Sequence, residues 1–470
     1  MTILIKGGTV VSATGADPAD VLVDGEQVVA VVAPGSDLAR TVEAGADRVI
    51  DATGRYVVPG GVDGHTHMEL PFGGTVASDD FESGTRAAAW GGTTTIVDFA
   101  VQRYGEDVRA CLDAWFAKAE GRCAIDYGFH MIVGGVDESS LKEMDTLVAE
   151  GISSFKLFMA YPGVFLSDDG QILRAMQQAA GNGGLIMMHA ENGLAIDVLA
   201  AQAVERGQTD PVHHGYVRRK ELESEATHRA IQLAKVGAAP LYIVHLSASE
   251  ALEQVTIARD QGANVFAETC PQYLYLNLED HLGRPGFEGA AYVCSTPLRS
   301  KHEHHHADLW RGLRTNDLCV VSTDHCPFCM KEQKELGRDD FRAIPNGLGT
   351  VEHRMDLIFQ GVLQGEITLP RWVELCSTTP ARMFGLYPRK GTIQAGSDAD
   401  IVLYDPDARW TISVENHHMN IDHSAWEGFE IRGRVDTVLA RGRVIVEGQR
   451  YLGSPGDGRY LRRGLCQYLI

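Results

Sequence analysis

Long apolar runs are missing from this 470-residue chain. No stretch approaches the roughly 18 consecutive apolar residues of a membrane span. Basic charge is also scarce: 42 Lys and Arg against 63 Asp and Glu leave a net charge of -21. That balance argues against nucleic acid and against an anionic membrane surface as partners. The opening Met1–Lys6 is too short an apolar run for a signal peptide, and Lys6 interrupts it. Cysteines number nine, an odd count scattered over a long chain, which suits free cytosolic thiols better than a disulfide framework. The expectation is therefore a cytoplasmic, acidic enzyme. At 44% hydrophobic residues the chain can bury a large core, enough for one big domain and a smaller one.

Against that background stands His65-Thr66-His67. Side chains of a strand alternate faces, so these two imidazoles point the same way, suited to a divalent metal. The preceding Tyr56–Pro59 reads as a short buried strand. The middle of the chain alternates apolar runs with helical patterns, which predicts a parallel α/β fold. Strands are expected at Tyr56–Val62, Thr94–Ala100, Tyr127–Val133, Ser154–Ala160, Leu185–His189, Leu241–Leu246, Asn264–Thr269 and Leu318–Thr323. Helices are expected between them at Asp107–Glu120, Leu141–Glu150, Glu223–Lys235 and Glu250–Asp260, with Gly121, Gly151, Gly237 and Gly262 as stops. This count and length fit a (β/α)8 TIM barrel. The flanks are β-rich and glycine-broken, with Thr2–Lys6, Ala19–Val23 and Gln27–Val32 at one end. Ala399–Tyr404, Val435–Ala440 and Arg443–Glu447 lie at the other. Both ends are expected to pair into a small β-sandwich beside the barrel. The expected division is residues 1–55 and 385–470 in the sandwich and tail, 56–384 in the barrel. Gly456–Arg463 reads as an extended tail, either disordered or docked on a neighbouring subunit.

Metal-competent residues punctuate the ends of the apolar runs. Lys156 sits inside Phe155–Met159, a place lysines avoid unless paired. His189 ends Leu185–His189, His245 follows Tyr242–Val244, and Asp324 follows Val320–Thr323. In a barrel the carboxyl ends of the strands converge on one face, so His65, His67, Lys156, His189, His245 and Asp324 form one expected cluster. Any of these alone is ordinarily a hydrogen-bonded core residue or a snorkelling lysine. As a set they are not.

The segments His65-Thr66-His67, Phe155–Tyr161, His189–Asn192, His245-Leu246-Ser247, Cys294–Arg299, Ser322–Phe328 and Ile344–Gly349 closely resemble the amidohydrolase superfamily, specifically its dihydropyrimidinases and hydantoinases. The resemblance implies a two-metal site, usually zinc, with Lys156 carboxylated by CO2 to a bridging carbamate, in a homotetramer. Charge logic agrees, since an ammonium between two dications is repelled. On this reading His65, His67 and Asp324 complete one metal site, and His189 and His245 the other. A hydroxide shared by the metals attacks a ring amide carbonyl. Asp324 carries its proton to the departing nitrogen. Tyr161 donates to the oxyanion, and Ser295 and Asn346 bind the imide edge. The implied activity is opening of a small-molecule cyclic imide, a dihydropyrimidine or 5-substituted hydantoin, to an N-carbamoyl amino acid.

Allantoinase and dihydroorotase share the lysine, and a non-catalytic relative shares the fold. The intact ligand set argues against the scaffold. Dihydroorotase must bind a carboxylate, usually with arginine, whereas the candidate contacts here include the apolar Phe158 and Phe165. Cys326 and Cys329 have C-x-x-C spacing but no second pair, so they are read as loop thiols. His302–His306 reads as a solvated helix start, and Gly347-Leu348-Gly349 is too short for a nucleotide fingerprint. His325 is either a partner of Asp324 or a loop residue.

Overall fold

A computed structural model describes residues 1–468. Eight parallel strands follow one another in chain order around a barrel. They are β1 (Gly61–Thr66), β2 (Thr93–Gln102), β3 (Asp126–Val133), β4 (Ser154–Phe158), β5 (Leu185–His189), β6 (Leu241–Ile243), β7 (Val265–Thr269) and β8 (Val320–Val321). All eight are buried throughout, as expected for parallel strands covered by helices on one side and packed core on the other. Several of the helices between them begin on side-chain caps. Asp107, Asp137 and Asp168 each accept a bond from a backbone N–H in the first turn.

The seam between β1 and β8 is closed by side chains more than by backbone. Its backbone contacts are a parallel bridge between Thr66 and His325 and a 2.8 Å bond from His67 N to His325 O. Beneath them, Asp63 Oδ1 accepts from the amides of His65 and Thr323, both at 3.2 Å. Asp63 Oδ2 takes the Thr323 hydroxyl at 2.6 Å. The buried Arg354 donates Nη1 to the carbonyls of Val62 and Val321 at 3.0 Å. The two strands that carry His65 and lead to Asp324 are thus joined below the site.

Tyr56–Val62, expected as one strand, is two. Tyr56–Pro59 pairs with the first strand of the chain and with Ile401–Thr411, in the sheet built from the chain ends. The chain crosses into the barrel at Gly60, where a Cβ would lie 2.1 Å from Thr94 Oγ1. The terminal sheet has nine strands of mixed direction and holds segments from both ends. It curls over: Val21 and Val23 from one wing and Leu439 and Val444 from the other share a second, smaller core with Ile3, Val57 and Ile401. That is the sandwich, with its own apolar interior.

Two local expectations change. Gly237 is the last residue of helix Lys220–Gly237, and Ala238 takes the left-handed cap at φ 53 instead. The tail lies on its own chain. Leu461 N donates to Tyr127 O at 2.7 Å and Arg463 N to Gly151 O at 3.1 Å. The Arg463 guanidinium reaches Phe129 O at 2.6 Å and Ser154 Oγ at 2.8 Å. The tail therefore covers the amino-terminal mouth of the barrel, opposite the strand ends.

Candidate active site

His65 occupies the end of β1 with its two nitrogens committed in different directions. Nδ1 contacts Glu268 Oε1, a residue of β7. Nε2 faces upward, 3.1 Å from Asp324 Oδ1 and 2.9 Å from Lys156 Nζ. Gly64 beside it packs against Phe384, whose ring a Cβ would meet at 2.0 Å, so the strand passes there only without a side chain. His67 Nε2 lies 3.3 Å from the same Asp324 oxygen, and its Nδ1 is buried without a partner. His65, His67 and Asp324 place their donor atoms close enough together for one metal ion.

On the other side, His189 Nδ1 and His245 Nε2 approach to 2.9 Å. His189 Nε2 is held by Glu191 Oε2 at 2.7 Å, and Arg218 Nη1 binds that same oxygen at 2.7 Å. Glu191 thus fixes which imidazole nitrogen points inward, as outer partners of metal-binding histidines do. His245 Nδ1 is buried without a partner. Three of the residues here sit on left-handed backbone: Tyr161 at φ 64, His245 at φ 39 and Asp324 at φ 52. Such backbone costs on the order of 1–3 kcal/mol per residue and persists where the surroundings hold it.

The electrostatics match a cluster assembled for a charge it does not itself contain. Burial drives the imidazole of His67 down to about 3 and lowers that of His189, leaving neutral donors. Burial opposes ionisation of Asp324, but the charge and hydrogen bonds of His65, with those of His67, hold its carboxyl well below the usual range. Burial pushes the Lys156 amine down to about 8. Among the described residues its hydrogen-bond partner is His65 Nε2, and no carboxylate forms an ion pair with it. The lowered value enlarges the neutral fraction of the amine, the form that reacts with CO2. Facing imidazole nitrogens, orphaned buried nitrogens and an unpaired amine all fit nitrogen- and oxygen-binding divalent metals.

His67, Lys156, Tyr161, His189, His245, Ser295, Asp324 and Asn346 line one small cavity of about 50 Å³, with His65 just beneath. The structure thus brings together every site residue expected from sequence. Asn346 Nδ2 donates to Ser295 Oγ at 2.9 Å. Phe158 and Phe165 stack at 5.0 Å along the wall, and Phe72 meets Tyr161 edge-on at 5.3 Å. Among the described residues, Lys156 is the one Lys or Arg on this lining. Outside it opens a cleft of about 1070 Å³ bordered by Pro71–Val76, Tyr161 and Phe341.

Sequence reasoning passed over Glu268, Asp63, Glu191 and Arg354. For Asp63 and Glu268 the signal was present, since a charged residue inside a buried strand is the rule that singled out Lys156, whereas Glu191 lies past its strand and Arg354 opens a helix. His325 is a loop clamp: its Nε2 meets Asp79 Oδ2 at 3.0 Å and its Nδ1 accepts the Thr350 amide at 3.1 Å. Cys326 and Cys329 are free thiols. The His302–His306 run is only partly solvated, because His305 is buried against Ser249 and Glu303.

Residues 56–445 match the family model described as the amidohydrolase family. A D-hydantoinase of Streptomyces coelicolor is 64% identical over 466 residues, covering 99% of each chain. A D-hydantoinase of Geobacillus stearothermophilus is 48% identical over 98% of this chain and 97% of its own length. The crystal structure of dihydropyrimidinase from Brevibacillus agri superposes with a TM-score of 0.95 at 47% identity, covering 99% of both chains.

Proposed function

The chain is a member of the amidohydrolase family, and from that premise we propose that it hydrolyses the cyclic imide of 5-substituted hydantoins, with dihydropyrimidines as a second substrate class. The names of its relatives favour the D-configured hydantoins. The observation that carries the proposal is the single cavity in which buried metal donors face an uncharged wall.

His65, His67 and Asp324 would hold one divalent ion, and His189 and His245 the second, with Lys156 as its carbamate completing the donor set. The donor set suits zinc. When bound, the pair supplies a water nucleophile ionised near neutral pH and polarises the attacked carbonyl. Every other step belongs to side chains. Phe158 and Phe165 stack along the ring pocket and exclude water, while Ser295 and Asn346 hold the imide edge by hydrogen bonds. Tyr161 keeps its proton because burial raises its pKa, so it can donate to the oxyanion as the carbonyl becomes tetrahedral. Asp324 receives the nucleophile's proton and passes it to the ring nitrogen as the C–N bond breaks, leaving an N-carbamoyl amino acid. Soluble cytoplasmic residence and a homotetramer complete the proposal. Among the described residues no helix is long and apolar enough to cross a membrane.

A dihydroorotase reading is disfavoured by one observation: among the described residues no arginine lines the inner cavity to meet a substrate carboxylate. The test is ring opening of hydantoin, D- and L-5-phenylhydantoin, dihydrouracil, allantoin and dihydroorotate by metal-loaded protein. Turnover led by the hydantoins or dihydrouracil and lost with chelator is expected. A kcat/KM for dihydroorotate above that for hydantoin would overturn the assignment.

A further inference from the structure

Two loops meet where the imide edge is proposed to bind, one carrying Ser295 after β7 and one carrying Asn346 after β8. Their direct contacts are few: Gly347 N donates to Val293 O at 3.0 Å, and Asn346 Nδ2 to Ser295 Oγ at 2.9 Å. Behind them, three carbonyls from both loops turn onto one atom. Lys334 Nζ lies 3.0 Å from Val293 O, 2.8 Å from Pro345 O and 3.0 Å from Gly347 O. Two of these carbonyls flank Asn346 in sequence, and the third lies two residues before Ser295.

Lys334 is fully buried, and among the described residues no carboxylate forms an ion pair with it. The groups near its ammonium are the thiols of Cys294 and Cys326, the imidazoles of His214 and His423, and the ring of Phe328, 6.0 Å away. Burying an ammonium without a counter-ion is costly, and an apolar side chain would fill the space without that cost. What an apolar side chain cannot do is match three acceptors with three N–H donors. The tripod sets the separation of the two loops and the direction in which the chain presents Asn346. It does so from outside the cavity, whose lining excludes Lys334.

We propose that Lys334 is a positioning residue for substrate recognition, locking the Ser295 and Asn346 loops at the spacing that reads the imide edge. This rests on the cyclic-imide reading above. The geometry assigns it an effect on substrate binding and none on the metal donors.

The test compares Lys334→Met, Asn346→Ala and the double variant with wild type, as full-length metal-loaded protein on hydantoin and D-5-phenylhydantoin. Lys334→Met should raise KM by about tenfold or more while kcat falls by less than about threefold, with metal content unchanged. In the double variant KM should exceed that of Asn346→Ala by clearly less than the full Lys334→Met factor, because part of the lysine's effect passes through Asn346 and part through the Ser295 loop. A KM within about twofold of wild type for Lys334→Met, or full multiplication of the two effects in the double variant, would overturn the inference. So would insoluble or metal-depleted Lys334→Met protein, which would mark the lysine as purely structural. Wild type inactive on both substrates would instead bring down the cyclic-imide reading.

Discussion

Replacing Glu268 by glutamine should weaken metal binding without touching a single proposed metal donor. Glu268 Oε1 faces His65 Nδ1 and also accepts the His245 amide at 3.2 Å, while Oε2 takes the Tyr242 hydroxyl at 2.8 Å. One carboxylate thereby sets the tautomer of His65 and ties down the backbone of His245, each on a different side of the metal site. A hydrogen bond to a charged group contributes about 1.5–3 kcal/mol, and a neutral acceptor is roughly half as strong. Glutamine retains one acceptor oxygen, so the direct loss is on the order of 1–1.5 kcal/mol. That corresponds to about tenfold in metal affinity, the lower end of the 10–100-fold range typical when an outer partner of a metal-binding histidine is lost. The assay strips the protein of metal and titrates it against a chromophoric chelator, with the thermal midpoint followed in parallel. Affinity within about twofold of wild type in a folded variant would refute the claim that Glu268 orients His65 toward a metal.

Lys156→Ala should lose bound metal and activity together, and a variant retaining both would remove the bridging role. Asp324→Asn should abolish turnover even in samples that retain metal, because its proton transfer is typically worth about 10²–10⁴-fold; metal-replete protein with near-normal kcat would contradict that role. Tyr161→Phe should lower kcat more than it raises KM, since its bond forms chiefly to the oxyanion, and a change in KM alone would make it a substrate-positioning group. His214 supplies a pH test. Burial pushes its imidazole down to about 3 while its ring Nε2 donates to Cys294 O at 2.8 Å, so the folded state resists a proton that the unfolded chain accepts below about 6.5. Stability is therefore present above that value and falls on acidification through it, with a contribution from this residue that approaches about 1.4 kcal/mol per pH unit toward pH 5. Urea midpoints of wild type and His214→Gln at pH 7 and 5 should show a shallower slope in the variant, and equal slopes would refute the assignment.

The residues that could be read from sequence were those whose chemistry conflicts with their surroundings. Lys156 inside Phe155–Met159 and the paired His65 and His67 are expensive to bury, and a barrel collects strand ends on one face, so their convergence follows from pattern alone. Glu268 obeys the same rule and could have been found by it. Other features left no local trace. Tyr56–Val62 is the exception, for its Pro59-Gly60-Gly61 interrupts the apolar run where the chain changes sheets at Gly60. The tail around Arg459–Arg463 is polar enough to read as solvated, but its backbone bonds to Tyr127 and Gly151 are long-range contacts that composition does not encode. The left-handed backbone at Tyr161, His245 and Asp324 runs against residue preference, and only the assembled site accounts for it.

The four histidine nitrogens and Asp324 are proposed to form a two-ion centre joined by a carboxylated Lys156, and this centre to open a cyclic imide. Its most direct test titrates metal-free protein with zinc in the presence and absence of bicarbonate while following hydantoin ring opening. Activity should saturate at two ions per chain and require bicarbonate. Full activity at one ion per chain, or without any CO2 source, would contradict it.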